Sequence, residues 1–388
     1  MKITYMTGGQ RVPAVITEAA TKLVCCELMS SDDNTILLGE NHTSGLDIKT
    51  KFDTYRADVE KILKLTGVKF KPNSISFKHP LLMNDGGLVI NMSQGMGPIT
   101  KFSPSGEIIK FNDEYQFHHS IEADAQGKIY VPIRKERGNL RSEGFAILDE
   151  NLNILDTYFL IDIFKKAGLY ASLGQGVDPF HLNDIQPLNS SEQTQYVLIS
   201  LNTPSSVIAY DLVNKEMVWV LDGLTSKQHD PDFLNKDGTE IAIFDNNTIT
   251  YNGRGSVNNN IYMTIKNLPP LNKEKVGSTR IFNNFEQNKN ISELEIIPNN
   301  FSFLDKKLVP KTLTEGLSEK IHENDSIFVE ETNYGRLLEI DYKKNKLLWQ
   351  YINKSDSNKY YMMGWSRRLN EIPDSTIEIL TSINLGLG

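Results

Sequence analysis

The sequence predicts an all-β fold in which several small sheets are arranged around an axis, a β-propeller. Three observations predict it. Short β-rich runs separated by turn residues recur along the chain. The runs repeat in the same order with similar endings. Histidines stand at matching places in the repeats, each followed by a short linker, a turn and a strand.

The repeats are clearest near the C-terminus. In SIFVEETNYGRLLEIDYKKNKLLWQYIN (326–353), a run from Ser326 to Glu331 meets a turn at Asn333–Gly335. A second run, Arg336 to Tyr342, passes through KKNK into a third, Leu347 to Tyr351. The alternation and the turn residues are those of a β-meander. YVLISLNTPSSVIAYDLVNKEMVWVLDG (196–223) has the same layout, with its second strand ending in Asp211. KIYVPIRKERGNLRSEGFAILDENLNILDTYF (128–159) and GGLVINMSQGMGPITKFSPSGEIIKF (86–111) are further copies. The spacing from Asp149 to Asp211 exceeds the roughly 40–50 residues of common four-strand repeats, so long loops are expected. One such twisted sheet has two apolar faces and cannot bury both alone, whereas a ring of sheets can. A sandwich or a stack of small β domains is the alternative.

Helical spacing is confined to Tyr55–Leu65 and Leu160–Leu169, the second with Gly168 placed to end it. Both read as insertions packed on the ring. Residues 252–325 are rich in Asn, Lys and Glu, and long loops are expected there. The chain divides into an N-terminal segment of mixed structure, 1–66, and a propeller domain, 67–388.

The balance of 41 Lys and Arg against 49 Asp and Glu gives a net charge of −8 over 388 residues, which disfavours nucleic acid and anionic lipid as partners. No stretch is long and apolar enough for a membrane helix. The start, MKITYMTGGQRVPAV, lacks the apolar run of a signal peptide. The only two cysteines, Cys25 and Cys26, are adjacent. Neighbours rarely reach disulfide geometry, and no Cys/His zinc spacing is present.

Of seven histidines, His42 and His322 sit in loop-like contexts, and His79 opens a run in FKHPLL. His118, His119, His181 and His229 lie in QFHHSIEADAQGKIYVP, DPFHLNDIQPL and KQHDPDFLNKDGTEIAIFDNN. Equivalent positions of a propeller face one channel, so repeat geometry would bring these rings together. Converging imidazoles serve nucleophilic and acid/base chemistry near neutral pH. They serve metal binding when carboxylates join them; Asp178, Asp184 and Asp230 are near, but no H-x-H or H-E-x-x-H spacing exists. The same carboxylates are placed to orient imidazoles or to cap turns.

At these residues, from about Lys78 to Asn353, the sequence resembles the arylsulfotransferase family that uses no nucleotide sulfate donor. FHHSIEADAQGKIYVP, DPFHLNDIQP, VIAYDLVNKEMVWVLDG, QHDPDFLNKDGTEIAIFDNN and GRLLEIDYKKNKLLWQY carry the resemblance. It implies six blades with the site on the axis. It also implies transfer of a sulfuryl group from a phenolic sulfate ester to a phenol through a sulfated histidine, without a cofactor. His229 falls on the sulfated position, and His181 and Asn183 on the H-x-N pair. His119 or its neighbour His118 falls on the remaining histidine. The family's arginine, in the strand after H-x-N, is replaced here by Asn202. Arg141, Arg254 and Arg367 are candidates to supply the missing cation at the substrate, and Trp365 near Arg367 a candidate wall for a phenolic ring. Trp219 and Trp349 read as core. Partners are therefore a small aryl sulfate and a phenol, with periplasmic or other extracytoplasmic location implied by the resemblance. Because of Asn202, two other readings stay open: a non-catalytic propeller that binds a small ligand, and a His-metal propeller hydrolase or lyase.

Overall fold

The computed structural model describes residues 78–91, 96–104, 107–137, 140–169, 178–189, 193–251, 254–271, 279–283, 291–321, 325–353 and 362–368. The side chains of 78, 96, 136–137, 140–141, 249–251 and 254–257 fall outside that description. The helix expected at 55–65 and the proposed 1–66 segment lie outside the described residues.

The described residues form a β-propeller with five antiparallel four-stranded units, each laid out in chain order from an inner to an outer strand. The first comprises β1 (Lys78–Leu82), β2 (Leu88–Asn91), β3 (Met96–Phe102) and β4 (Ile108–His118). The second comprises β5 (Glu122–Ala123), β6 (Ile129–Arg137), β7 (Leu140–Leu148) and β8 (Ile154–Phe159). The end of β4 also pairs with β6, at Gln116 and Phe117, so these two units are hydrogen-bonded into one sheet. The third unit is β9 (Leu182–Pro187), β10 (Tyr196–Leu201), β11 (Ser206–Asp211) and β12 (Glu216–Asp222). The fourth holds β13 (His229–Phe233), β14 (Ile241–Asp245), β17 (Ile261–Lys266) and β19 (Glu295–Asn299). Two insertions decorate this part of the chain: the hairpin of β15 (Thr248–Tyr251) with β16 (Arg254–Val257), and β18 (Arg280–Asn283), which pairs in parallel with β12. The fifth unit is β20 (Leu317–Ile321), β21 (Ser326–Glu331), β22 (Arg336–Asp341) and β23 (Lys346–Ile352). Beyond it, residues 362–368 return to the first unit, where the His79 amide donates to the Gly364 carbonyl at 2.8 Å. Over 252–325 the described residues hold five strands, together with a long strand-free stretch, 300–316, of the kind expected there.

The middle strands of the second, third and fourth units are apolar on both faces because each of these sheets is covered on both. In β10, Val197, Ile199 and Leu201 pack toward the second unit, and Tyr196 and Leu198 toward the fourth. In β14, Ile241 and Ile243 face the third unit, whereas Ala242 and Phe244 face the fifth. The period-two alternation of a strand thus divides its residues between two neighbouring cores. Asp149, Asp211 and Asp341 play one part in three units: each accepts backbone N–H groups of the turn leading to the outer strand. That shared turn explains their recurrence in the sequence. At Gly144 in β7, a Cβ would come within 2.1 Å of the Tyr158 carbonyl, so the approach of β8 requires glycine.

Helix α1 (Leu160–Lys166) buries Leu160, Ile163 and Phe164, the i, i+3, i+4 stripe that the sequence shows. Gly168, at φ +73°, ends it: its amide bonds Lys165 O and the Leu169 amide bonds Phe164 O, a Schellman closure. Trp219 is fully buried, as expected of a core residue. Trp349 is not: it is 47% exposed on β23, whose outer face no described residue covers.

Candidate active site

The innermost strands share a local device. Just before or at their starts, His79, His119, His181, Asp230 and Glu315 adopt left-handed backbone, with φ between 44° and 59°, as does Trp365 at φ 73°. Non-glycine residues tolerate this region only when surrounding contacts hold them there. The turn swings each chain onto the axis and aims the side chains around it at a common space.

The structure brings four histidines from three units together, and His229, from a fourth unit, lies within electrostatic reach of His181. Ring centroids lie 6.2 Å apart for His79 and His119, 5.0 Å for His118 and His119, and 5.4 Å for His119 and His181. His118 Nδ1 and His119 Nδ1 are 2.7 Å apart, so one donates and the other accepts. His79 and Trp365 lie 4.3 Å apart between centroids with their planes tilted by 43°, which places that tryptophan beside the ring cluster.

His229 opens β13 and is buried. Its Nδ1 lies 2.7 Å from Asn246 Oδ1. The Asn246 amide donates through Nδ2 to Glu315 O at 2.7 Å and Thr312 O at 3.3 Å, which fixes its oxygen toward the ring. An amide oxygen only accepts, so Nδ1 carries the proton and the lone pair stands on Nε2. Burial, opposed by the charge of Glu315, pushes the ring's pKa down, so His229 is neutral near pH 7. Burial lowers His119 well below the ordinary value, and takes His118 to about 3 with help from the Arg134 charge.

His181 differs. Its side chain is 33% exposed, and its Nδ1 lies 2.9 Å from Asp178 Oδ2. Burial works against the Asp178 charge, but the His181 hydrogen bond and the Arg134 charge hold its carboxyl below the usual range. Of the carboxylates flanking the histidines, Asp178 alone orients an imidazole in this way; Asp230 accepts from the Ser318 amide instead, at 2.7 Å.

The polar candidates fall in different places. Asn183 donates Nδ2 to Gln228 O at 2.7 Å, tying β9 to the residue before His229. Asn202 donates its amide to His181 O and accepts from Lys227 Nζ at 3.2 Å, so a lysine stands where the resemblance leads one to look for a cation. Arg367 is bonded to Pro80 O, Ile121 O and Glu122, in a layer beyond the histidines that also contains Asp184, Asp230 and Asp232. That layer borders a cavity of about 290 Å³ lined by Glu122, Asp230, Asp232, Trp365 and Arg367 among others. Burial and the neighbouring Glu122 charge push the Asp184 carboxyl up to about 8. Among the described residues no group of three or more His, Cys, Asp or Glu side chains is arranged to hold a metal ion. Arg141 and Arg254 have side chains outside the described residues, and His42 and His322 are outside them entirely.

Sequence reasoning missed three residues. Arg134 is buried on β6, donates to Glu143 through Nε and Nη2, and reaches Asp178 at 3.5 Å. Asn246 lies in the FDN that ends one of the matching segments, but nothing in the sequence assigned it to His229. Glu315 occupies the fifth inner turn, where a search for histidine finds nothing.

A family model for arylsulfotransferase (ASST) matches residues 77–354. No curated protein matches the chain. Among solved structures, a protein of unknown function from Bacteroides caccae is similar at 11% identity and TM-score 0.42, covering 72% of this chain and 82% of that one. The Cps50 (Swd1) beta-propeller domain of Myceliophteria thermophila is similar at 9% identity and TM-score 0.42, covering 71% and 73%. The Dos1 propeller is similar at 8% and 0.39, covering 71% and 57%. With the motifs, the axial histidines and a family match over most of its length, the chain belongs to the arylsulfotransferase (ASST) family.

Proposed function

We propose that the protein moves a sulfuryl group from an aryl sulfate to a phenolic acceptor through a sulfated His229. The observation that carries this reading is the His229–Asn246 bond, which leaves the lone pair on Nε2. In the first half-reaction Nε2 attacks sulfur, the S–O(aryl) bond breaks, and the leaving phenolate takes a proton from a neighbouring imidazole. A neutral nucleophile suits this attack, because the sulfate oxygens repel an anionic one. In the second half, an acceptor phenol gives its proton to that imidazole, its oxygen bonds sulfur, and the S–N bond returns its electrons to Nε2. His181 suits the proton-carrying part: it is the most open of the cluster, and Asp178 fixes the orientation of its ring through Nδ1. His119 and His118 lie behind it and complete the polar wall. Asn183 and Lys227 are the candidates to donate to the sulfuryl oxygens in this reading, Lys227 being bonded to Asn202.

The test is transfer itself. Purified protein is incubated with an aryl sulfate, and phenol release and the sulfuryl mass on the His229 peptide are followed with and without acceptor. The reading expects a labelled peptide that acceptor clears, and neither label nor release in His229→Ala. Folded wild-type protein that neither labels nor transfers across a panel of aryl sulfates would overturn it. A donor that binds without turnover would then favour the ligand-binding propeller, the reading to which the missing arginine at Asn202 points.

A further inference from the structure

The inner turn of the fifth unit carries a carboxylate where other units carry an imidazole. Glu315 has the same left-handed backbone as His79, His119 and His181, at φ 59°. Gly316 follows it, and a Cβ there would meet Phe244 at 2.6 Å and Thr312 at 2.7 Å. The Glu-Gly pair is therefore what lets the turn press against β14 and turn a carboxylate toward the rings. Its Oε2 lies 3.5 Å from His79 Nε2, and its charge acts on both His119 and His229. Its backbone carbonyl holds the Asn246 amide that orients His229.

We propose that Glu315 is a positioning residue of the transfer site, whose carboxylate compensates the positive charge His229 gains when its Nε2 bonds sulfur. This rests on the sulfuryl-transfer reading above. During attack the aryl oxygen leaves with its electron pair, and the ring keeps its Nδ1 proton. The ring is then cationic while the sulfuryl group keeps its negative charge. When the acceptor oxygen takes sulfur, the N–S pair returns to Nε2 and the ring is neutral again. A buried site offers little solvent to support that transient charge, so a fixed carboxylate stabilises the charged state selectively. The charged and titratable groups around His229 are Glu315 from the segment ahead of β20, His181 from that ahead of β9, and Lys227 and Asp230 on its own segment. His79, His119 and His118 complete the ring cluster. Lys227 cannot compensate a cation, and Asp230 is turned to the Ser318 amide. Asp245, on β14 beside the strand partner of His229, accepts the Ser226 and Asn247 amides, so Glu315 is the carboxylate whose charge acts on the ring.

The test uses Glu315→Gln and Glu315→Asp in the full chain, since side-chain changes leave the Glu315 carbonyl in place. Two readouts are taken: the rate of the first phenol release as a function of pH, and the titration of the His229 ring followed by imidazole NMR. Removing the carboxylate charge lowers the His229 midpoint by about one unit, and the acid limb of the rate, which needs neutral His229, moves down with it. At its plateau the Gln variant is slower by about tenfold or more, and the Asp variant recovers part of that loss. A folded Gln variant with an unmoved midpoint and an unchanged rate overturns the proposal. If wild-type protein transfers no sulfuryl group while the midpoint still moves, the transfer reading fails and the coupling of Glu315 to His229 stands. Transfer in the wild type with no movement in the variant removes Glu315 alone.

Discussion

Asn246→Leu isolates the bond on which the reactive tautomer of His229 depends. Leucine keeps the volume and removes the acceptor. In the parent, Nδ1–H donates to Asn246 Oδ1 at 2.7 Å, and Asn246 is itself held by Glu315 O and Thr312 O. Thr312 O keeps a donor in the variant, Asn260 Nδ2 at 3.0 Å, whereas Glu315 O loses the donor that Asn246 supplied. The buried Nδ1–H is left with the longer contact to Lys227 O, 3.2 Å. With the short bond gone, the proton shifts toward Nε2, where the lone pair is needed. The bond also strengthens when the ring becomes cationic, because a charged donor bonds more tightly than a neutral one. A lost ground-state bond and a lost charge-assisted one together amount to about 2–4 kcal/mol of the barrier, a slowing of roughly 30- to 1000-fold. The assay is single-turnover phenol release from an aryl sulfate, with thermal unfolding measured alongside. Asn246→Asp keeps the acceptor and should retain more of the rate than Leu. Its added charge raises the His229 pKa and so moves the acid limb to higher pH. A folded Leu variant releasing phenol within about twofold of the parent would refute the tautomer argument.

Two further outcomes follow from the axis and the sheets. Asp184, raised to about 8, binds a proton more tightly in the folded protein than in the unfolded chain, so its contribution makes stability fall as pH rises from about 4 toward 8. Asp184→Asn should flatten that fall and raise the melting temperature at pH 8 relative to the parent; an unchanged pH profile in calorimetry would count against a buried, proton-binding Asp184. Gly144→Ala forces β7 and β8 apart at a place where Cβ would lie 2.1 Å from a carbonyl oxygen, and about 1–3 kcal/mol of stability should be lost in denaturant titration. A variant as stable as the parent would show that the two strands are not that close.

The sequence by itself determined the propeller architecture, the turn that Asp149, Asp211 and Asp341 share, and the short helix ending at Gly168. Each is written in local chemistry: period-two alternation, carboxylates that accept turn amides, and a glycine at a left-handed position. It also pointed to His118, His119 and His181 as rings that would meet, because repeats place equivalent residues around one axis, but not to His79, which joins them. Only the tertiary structure decided what those rings bond to. Asn246 and Glu315 reach His229 and its neighbours from other strands and another unit, and Arg134 pairs with Glu143 across a hairpin. Arg367 reads in the sequence as a cation for the substrate, yet its guanidinium is bonded to Glu122 and to two carbonyls from units at the far end of the chain. Trp349 shares its blade-end context with Trp219, yet one is exposed and the other buried, because exposure depends on which sheet lies next to a face. A motif specifies a residue and its turn. The partner of a buried polar group is fixed by chain segments that meet only after the sheets have closed around the axis.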